Sequence, residues 1–267
     1  MKKLLLMSSC FVLIFGRGHA PVLNELDHSL LLLTPGCCGT HLTKLHINVL
    51  TKRPLLLVQG KNWVKPYQFL GLSPDTSKPP YYHSHFPSFA AGMNKHTNQL
   101  IIVLRNYKEW LVREAKAQMI PRLRHRFVQN LDVKKYEEVL SVPHRINRYY
   151  DFLKMYNNWD EDKRLLLYYE DFIHHPQKVL TALQQFLNTD PELLDQQIKL
   201  IEELKPKLLN YYHRKFKVQG GSSTKGKETD HFHTKNLPIA LLKRIDDLMR
   251  SSNPKLFDSY LKHYREK

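Results

Sequence analysis

The sequence predicts a single α/β domain: a mostly parallel sheet flanked by helices. Three observations carry that prediction. Apolar runs at Leu30–Leu33, Leu100–Leu104 and Leu165–Leu167 have the length and continuity of strands buried on both faces of a sheet. Segments with apolar residues at helical spacing follow each run, and strands alternating with helices specify parallel α/β architecture. At 267 residues the chain can bury a sizeable core as one unit, and nothing in it demands two domains.

In chain order, residues 1–20 carry the pattern of a secretory signal. Lys2 and Lys3 precede an apolar stretch from Leu4 to Phe15, and Gly16-Arg17-Gly18-His19-Ala20 ends on a small residue. The stretch is shorter than the roughly twenty residues that span a bilayer, so the mature chain, 21–267, is expected to have no transmembrane segment. Export is the expectation, with a buried N-terminal element of a cytoplasmic protein as the alternative. Leu30–Leu33 is the first strand, and Leu42, Leu45 and Val49 place a helix over 40–52. Leu55–Val58 is a second short strand. Residues 61–82, rich in aromatics and proline without a period, suit a loop-rich segment bordering a pocket, ending in a candidate active-site turn over 81–87.

Leu100–Leu104 is a strong strand, followed by a helix from Lys108 to about Met119. A basic stretch from Arg122 to Arg126 leads into helical segments near 132–140 and 144–157. Arg164–Asp171 reads as a strand running into a turn. Pro176 opens a helix striped by Val179, Leu183, Phe186 and Leu187. A longer helical region, 191–216, is expected to break near Pro206. Val218–Thr229 is a Gly/Ser/Lys-rich loop, and helices near 237–250 and 254–264 finish the chain.

A composition of 42% hydrophobic and 11% aromatic residues excludes disorder as the main state. A net charge of +16 points to anionic partners: a nucleotide, nucleic acid, a sulfated glycan or a membrane surface. Of three cysteines, Cys10 falls in the leader, and the adjacent Cys37 and Cys38 are too close, about 3.8 Å between Cα atoms, for an unstrained disulfide. Two free thiols are expected in the mature chain, with no disulfide framework and no metal site.

The stretch with the most chemistry is Leu30–Lys44. A buried strand, a turn containing Gly36 and Gly39, and a helix starting at Thr40 together form an anion site, where turn N–H groups and the helix N-terminus converge. Thr40 can cap that helix and donate its hydroxyl to the anion. An ordinary strand-to-helix turn is the plain alternative. A Walker A loop is excluded, since no Gly-Lys-Ser/Thr occurs here.

Cys38-Gly39-Thr40-His41 resembles the Ser-Gly-Thr-(Thr/His) portion of the 5′-phosphosulfate loop of sulfotransferases, with Cys37 standing where that family carries Lys or Arg. Further segments extend the resemblance over most of residues 28–245. Ile101–Glu109 is similar to the family's strand ending in Arg-Asn-Pro-Lys-Asp, which implies that Arg105 holds the 3′-phosphate of 3′-phosphoadenosine 5′-phosphosulfate. The family's second 3′-phosphate contact, usually a serine, falls on Arg113. Arginine suits a phosphate because its planar fork donates paired hydrogen bonds. Leu167–Asp171 followed by His175-Pro176 resembles the Tyr-Glu-Asp-Leu motif; it implies Tyr169 near the adenine, with Glu170 and Asp171 capping the turn and helix. Thr224-Lys225-Gly226, then His231–Thr234, resembles the late Arg-Lys-Gly loop over the 3′-phosphate, carried here by Lys225 and Gly226.

The resemblance implies a P-loop-like sulfotransferase fold and transfer of a sulfuryl group from that donor to a hydroxyl or amine of an unidentified acceptor, without a metal. His83-Ser84-His85-Phe86-Pro87 matches the family's Lys-Thr-His-Leu-Pro-like turn, so His85 is the expected base; an ordinary histidine is well matched to that task. Without a basic residue in the loop, stabilisation of the leaving oxygen falls to Lys44, one turn after Thr40, or to His41. Two other readings stand: a homologue that binds the nucleotide but has lost catalysis, and a basic protein binding nucleic acid or sulfated glycan without chemistry. No specific nucleic acid is expected, because helix faces account better for the aromatics at 146–156.

Overall fold

Four consecutive leucines, all fully buried, form β1 (Leu30–Leu33) at the centre of a five-stranded sheet. The computed structural model describes residues 29–36, 38–57, 70–119, 143–216, 234 and 237–265. The remaining strands are β2 (Leu55–Leu57), β3 (Tyr81–Ser84), β4 (Gln99–Leu104) and β5 (Arg164–Tyr168). They lie in the order β2-β3-β1-β4-β5, and every pairing is parallel. Leu33 lies opposite Ser84 and Ile102, and Leu104 opposite Tyr168. The residues that follow these strands therefore meet along one edge of the sheet, where ligands of open α/β sheets bind.

The helices, numbered as described, are α1 (Thr40–Thr51), α2 (Tyr107–Met119), α3 (Pro143–Asn157), α4 (Tyr169–His174), α5 (Pro176–Leu187), α6 (Leu194–Phe216) and α7 (Ile239–Ser252). Side chains alternate across the sheet. Leu30, Leu32, Ile101 and Val103 pack with Leu45, Leu183 and Leu204 of α1, α5 and α6. On the other face Leu31, Leu33, Ile102 and Leu104 pack with Trp110, Tyr149, Phe152 and Met249 of α2, α3 and α7. Both faces are thus covered, which is why the strands read as unbroken apolar runs. Short helical turns from Pro254 to Tyr264, π-helical over Phe257–Leu261, close the second layer.

Four expectations need correction. The segment expected as the end of a loop is β3: Tyr81–Ser84 is buried throughout and sits between β1 and β2. The helix expected to break near Pro206 runs unbroken from Leu194 to Phe216. Ile201, Leu204 and Leu208 bury its stripe on both sides of the proline, and that packing outweighs one missing hydrogen bond. Thr40 is not the cap of α1: Gly39, in the left-handed region at φ 74°, holds that position, and no side chain caps the helix. Glu170 does not cap a turn either; its carboxylate crosses to other elements, as described below. The expected signal segment, Val58, Cys37, and the segments at 61–69, 122–126, 132–140 and 218–229 lie outside the described residues.

Candidate functional site

The turn after β1 begins with Thr34, fully buried, whose backbone N–H donates to Ser84 of β3 (3.2 Å). The backbone N–H of Cys38 donates back to the Pro35 carbonyl (3.3 Å), which closes the turn. The Cys38 side chain is fully buried in the core, and its thiol donates to the Gly36 carbonyl of the same turn at 3.8 Å. Gly39 then turns the chain into α1. Its φ is one that side chains rarely adopt, and a Cβ there would stand 2.4 Å from the Tyr169 ring. Thr40 and the half-buried His41 open the helix, whose first N–H groups have no acceptor within it.

Thr34 is the centre of a buried hydrogen-bond cluster that joins β1, β3 and α1. Its Oγ1 lies 2.7 Å from Thr40 Oγ1, 3.1 Å from His83 Nε2 and 3.3 Å from His85 Nδ1. Its carbonyl accepts from His85 Nδ1 at 2.8 Å. A carbonyl oxygen cannot donate, so Nδ1 of His85 carries the proton and Nε2 of the neutral ring carries the lone pair. The two imidazoles stand edge to face, 4.5 Å apart. Burial holds His83 well below its ordinary value, and the nearby charges of Lys44, His85 and His41 push it the same way. Lys44, 2% exposed, is pushed down to about 7 by its burial. The expected base, the expected anion hydroxyl and the expected leaving-group cation are therefore gathered around one turn.

A second group lies beside it. Arg105, the first residue after β4, stacks its guanidinium on the Tyr169 ring at 4.5 Å, and that ring closes against Gly39. Burial weakens the Arg105 charge, but Tyr169, Glu109, Glu170 and Cys38 more than offset it, and its pKa ends above the ordinary value. Glu109 stands one helical turn away, 3.7 Å from the guanidinium. The same carboxylate accepts from the N–H (2.9 Å) and hydroxyl (2.6 Å) of Thr234, so the end of the late His231–Thr234 segment is tied beside Arg105. The backbone here is held from two sides, and one of those holds is itself braced. Tyr149 donates to the Arg105 carbonyl (2.5 Å), and the Asn106 N–H donates to Glu170 (2.9 Å). Tyr264 donates to the other Glu170 oxygen (2.6 Å). Arg113 sits half-buried in the second turn of α2, and Lys225 and Gly226 lie outside the described residues.

No protein-family model and no curated protein sequence matches the chain. Solved structures do. Retinol dehydratase in complex with androsterone and the inactive cofactor PAP matches with a TM-score of 0.58 at 14% identity, over 86% of this chain and 82% of that one. Mouse sulfotransferase SULT7A1 complexed with PAP matches with a TM-score of 0.54 at 12% identity, over 92% of this chain and 94% of that one. The chain has the sulfotransferase fold. The retinol dehydratase complex with retinol and PAP matches this fold too, at a TM-score of 0.54 and 12% identity over 88% and 83% of the two chains. Among the described residues no group of three or more side chains could hold a metal ion, and no helix is long and apolar enough to cross a membrane.

Sequence reasoning missed two residues of this site. Thr34 carried a readable signal, a threonine at the end of a buried strand entering a glycine-containing turn. Glu109 entered only as the end of the Ile101–Glu109 segment, with no role of its own, and the fold shows it to be fully buried between Arg105 and Thr234.

Proposed function

We propose that this protein is a sulfotransferase, moving the sulfuryl group of 3′-phosphoadenosine 5′-phosphosulfate to a hydroxyl or amine acceptor. The observation that carries the reading is the cluster at Thr34, which links the Thr40 hydroxyl at the start of α1 to the His85 imidazole. In this reading the 5′-phosphosulfate sits at the β1–α1 turn, contacted by the backbone of Cys38, Gly39 and His41 and by the hydroxyl of Thr40. Arg105 and Arg113 bind the 3′-phosphate, Tyr169 borders the adenine, and Lys225 and Gly226 close over it. PAP in the structures of retinol dehydratase and mouse SULT7A1 supports a donor of this kind.

His85 Nε2 takes the acceptor's proton as the acceptor oxygen or nitrogen attacks sulfur. The bond between sulfur and the bridging phosphate oxygen breaks, and negative charge builds on that oxygen. Lys44 neutralises it by charge or by a proton, in place of a loop lysine. Burial suits Lys44 to the task, because a lysine near 7 gives up its proton more readily than an exposed one.

Calorimetry with 3′,5′-adenosine bisphosphate and a transfer assay with labelled donor and an acceptor panel test the proposal. Binding and transfer are expected. His85→Ala should lower turnover about a hundredfold or more with bisphosphate affinity unchanged. Arg105→Ala should weaken the bisphosphate by about 1.5–3 kcal/mol while leaving adenosine 5′-phosphate nearly unaffected. Binding without transfer would leave a nucleotide-binding homologue that has lost catalysis. Stabilisation by polyanions alone would make the chain a basic binding protein and overturn the reading.

A further inference from the structure

The Thr34 cluster has a direction as well as a geometry. Oγ1 of Thr34 has one proton to give and two lone pairs with which to accept. Its near neighbours are Thr40 Oγ1 at 2.7 Å, His83 Nε2 at 3.1 Å and His85 Nδ1 at 3.3 Å. The His85 nitrogen already donates to the Thr34 carbonyl, so toward Oγ1 it can act only as a second, weaker donor. Two arrangements make hydrogen bonds of both close contacts and also use the Thr34 proton. In one, Thr40 donates to Thr34 and Thr34 donates to a bare His83 Nε2. In the other, His83 Nε2–H donates to Thr34, Thr34 donates to Thr40, and the Thr40 proton is released to point out of the cluster. Thr34 is fully buried and Thr40 and His83 nearly so, so water competes little for these bonds.

We infer that His83, acting through Thr34, turns the Thr40 hydroxyl proton toward the anion bound at the β1–α1 turn. This rests on the function proposed above and deepens it. An anion at Thr40 selects the second arrangement, since only there does Thr40 have a proton to offer. Binding of the 5′-phosphate end therefore fixes His83 in its Nε2–H tautomer, two hydroxyls away. The imidazole's low proton affinity, set by burial beside Lys44, His85 and His41, keeps it neutral and so able to exist in either tautomer. His83 is in this sense a positioning residue. It acts on the anion site through Thr34, and it differs in role from His85, whose Nδ1 proton is committed to a carbonyl.

The test uses the full chain, 15N-labelled at histidine, with two probes: 3′,5′-adenosine bisphosphate and adenosine 3′-phosphate, which lacks the 5′ group. Nitrogen spectra should show His83 protonated at Nε2 with the bisphosphate, and no such change with adenosine 3′-phosphate. In calorimetry Thr34→Val, close to isosteric, should weaken the bisphosphate about tenfold or more and leave adenosine 3′-phosphate within about twofold. Thr34→Ser should restore wild-type affinity. On a Thr40→Val background, Thr34→Val should have no further effect, because the relay has lost its end. A bare His83 Nε2 in the bisphosphate complex overturns the inference, as does full bisphosphate affinity in Thr34→Val. If that variant fails to fold, the spectrum of the unsubstituted chain still decides. A wild type that binds no bisphosphate would overturn the proposed function and this inference with it; equal bisphosphate affinity in wild type and Thr34→Val would overturn the inference alone.

Discussion

Lys44 is a cation placed where a cation is costly. Its side chain is buried in α1, one turn after Thr40, and burial brings its pKa from 10.5 to about 7. The unfolded chain keeps the Lys44 proton up to about 10.5, whereas the folded chain releases it near 7. Between those values the unfolded state holds more protons, so stability rises with pH through the window. Below about 7 the cost of the buried charge is fully present. Lys44→Met should therefore raise stability at pH 6 by an amount of order a few kcal/mol, and the gain should shrink toward pH 10. Denaturant titrations of both proteins across that range check this; parallel pH profiles would show that burial does not depress the Lys44 pKa. Gly39 poses a different constraint, of space. Gly39→Ala must adopt a left-handed backbone and push its methyl into Tyr169, at a cost of about 1–3 kcal/mol from the backbone alone. Adding Tyr169→Ala should recover the part due to the clash, leaving a less than additive double variant in thermal unfolding.

At the scale of elements, β1, β4 and β5 were legible because leucine and isoleucine runs of strand length have few other uses in a chain of this composition. β3 was not, because Tyr-Tyr-His-Ser after two prolines has the local chemistry of a loop. It is a strand because β1 and β2 flank it in space, and pairing between distant segments leaves little local trace. The same blindness hid the cluster: His83 and His85 could be seen as a pair, but not that both reach Thr34, 49 and 51 residues away. Pro206 shows the opposite failure, a strong local signal overruled by packing. A proline inside a helix costs about 3 kcal/mol relative to alanine, offset by roughly 0.4–1 kcal/mol of lost freedom in the unfolded chain. With α6 continuous through that position, Pro206→Ala should stabilise the protein by about 1–3 kcal/mol and raise its melting temperature. A decrease would mean that the proline shapes a bend on which α1 and α5 depend.

For the molecule as a whole, the part of the candidate site around Arg105 depends on residues spread over most of the chain. Glu170, at the start of α4, accepts from Asn106 after β4 and from Tyr264 near the C-terminus, spans of 64 and 94 residues. Burial and the Glu170 charge hold the Tyr264 phenol well above its ordinary value, so it stays protonated and keeps donating. The helical turns from Pro254 onward are thereby coupled to the backbone that carries Arg105, which Tyr149 grips from α3. Tyr264→Phe leaves a Glu170 oxygen buried without that donor and should cost about 1–3 kcal/mol of stability. Because Asn106 is fixed by the other oxygen of the same carboxylate, the loss should propagate: bisphosphate affinity should fall in Tyr264→Phe although the tyrosine is no part of the proposed nucleotide contacts. Glu170→Gln should weaken binding in the same direction, and the two changes together should be less than additive, with a coupling of about 0.5–3 kcal/mol. Unfolding curves and calorimetry on the four proteins of that cycle are the measurement. Additive effects would show that the C-terminal turns stabilise the fold without positioning Arg105.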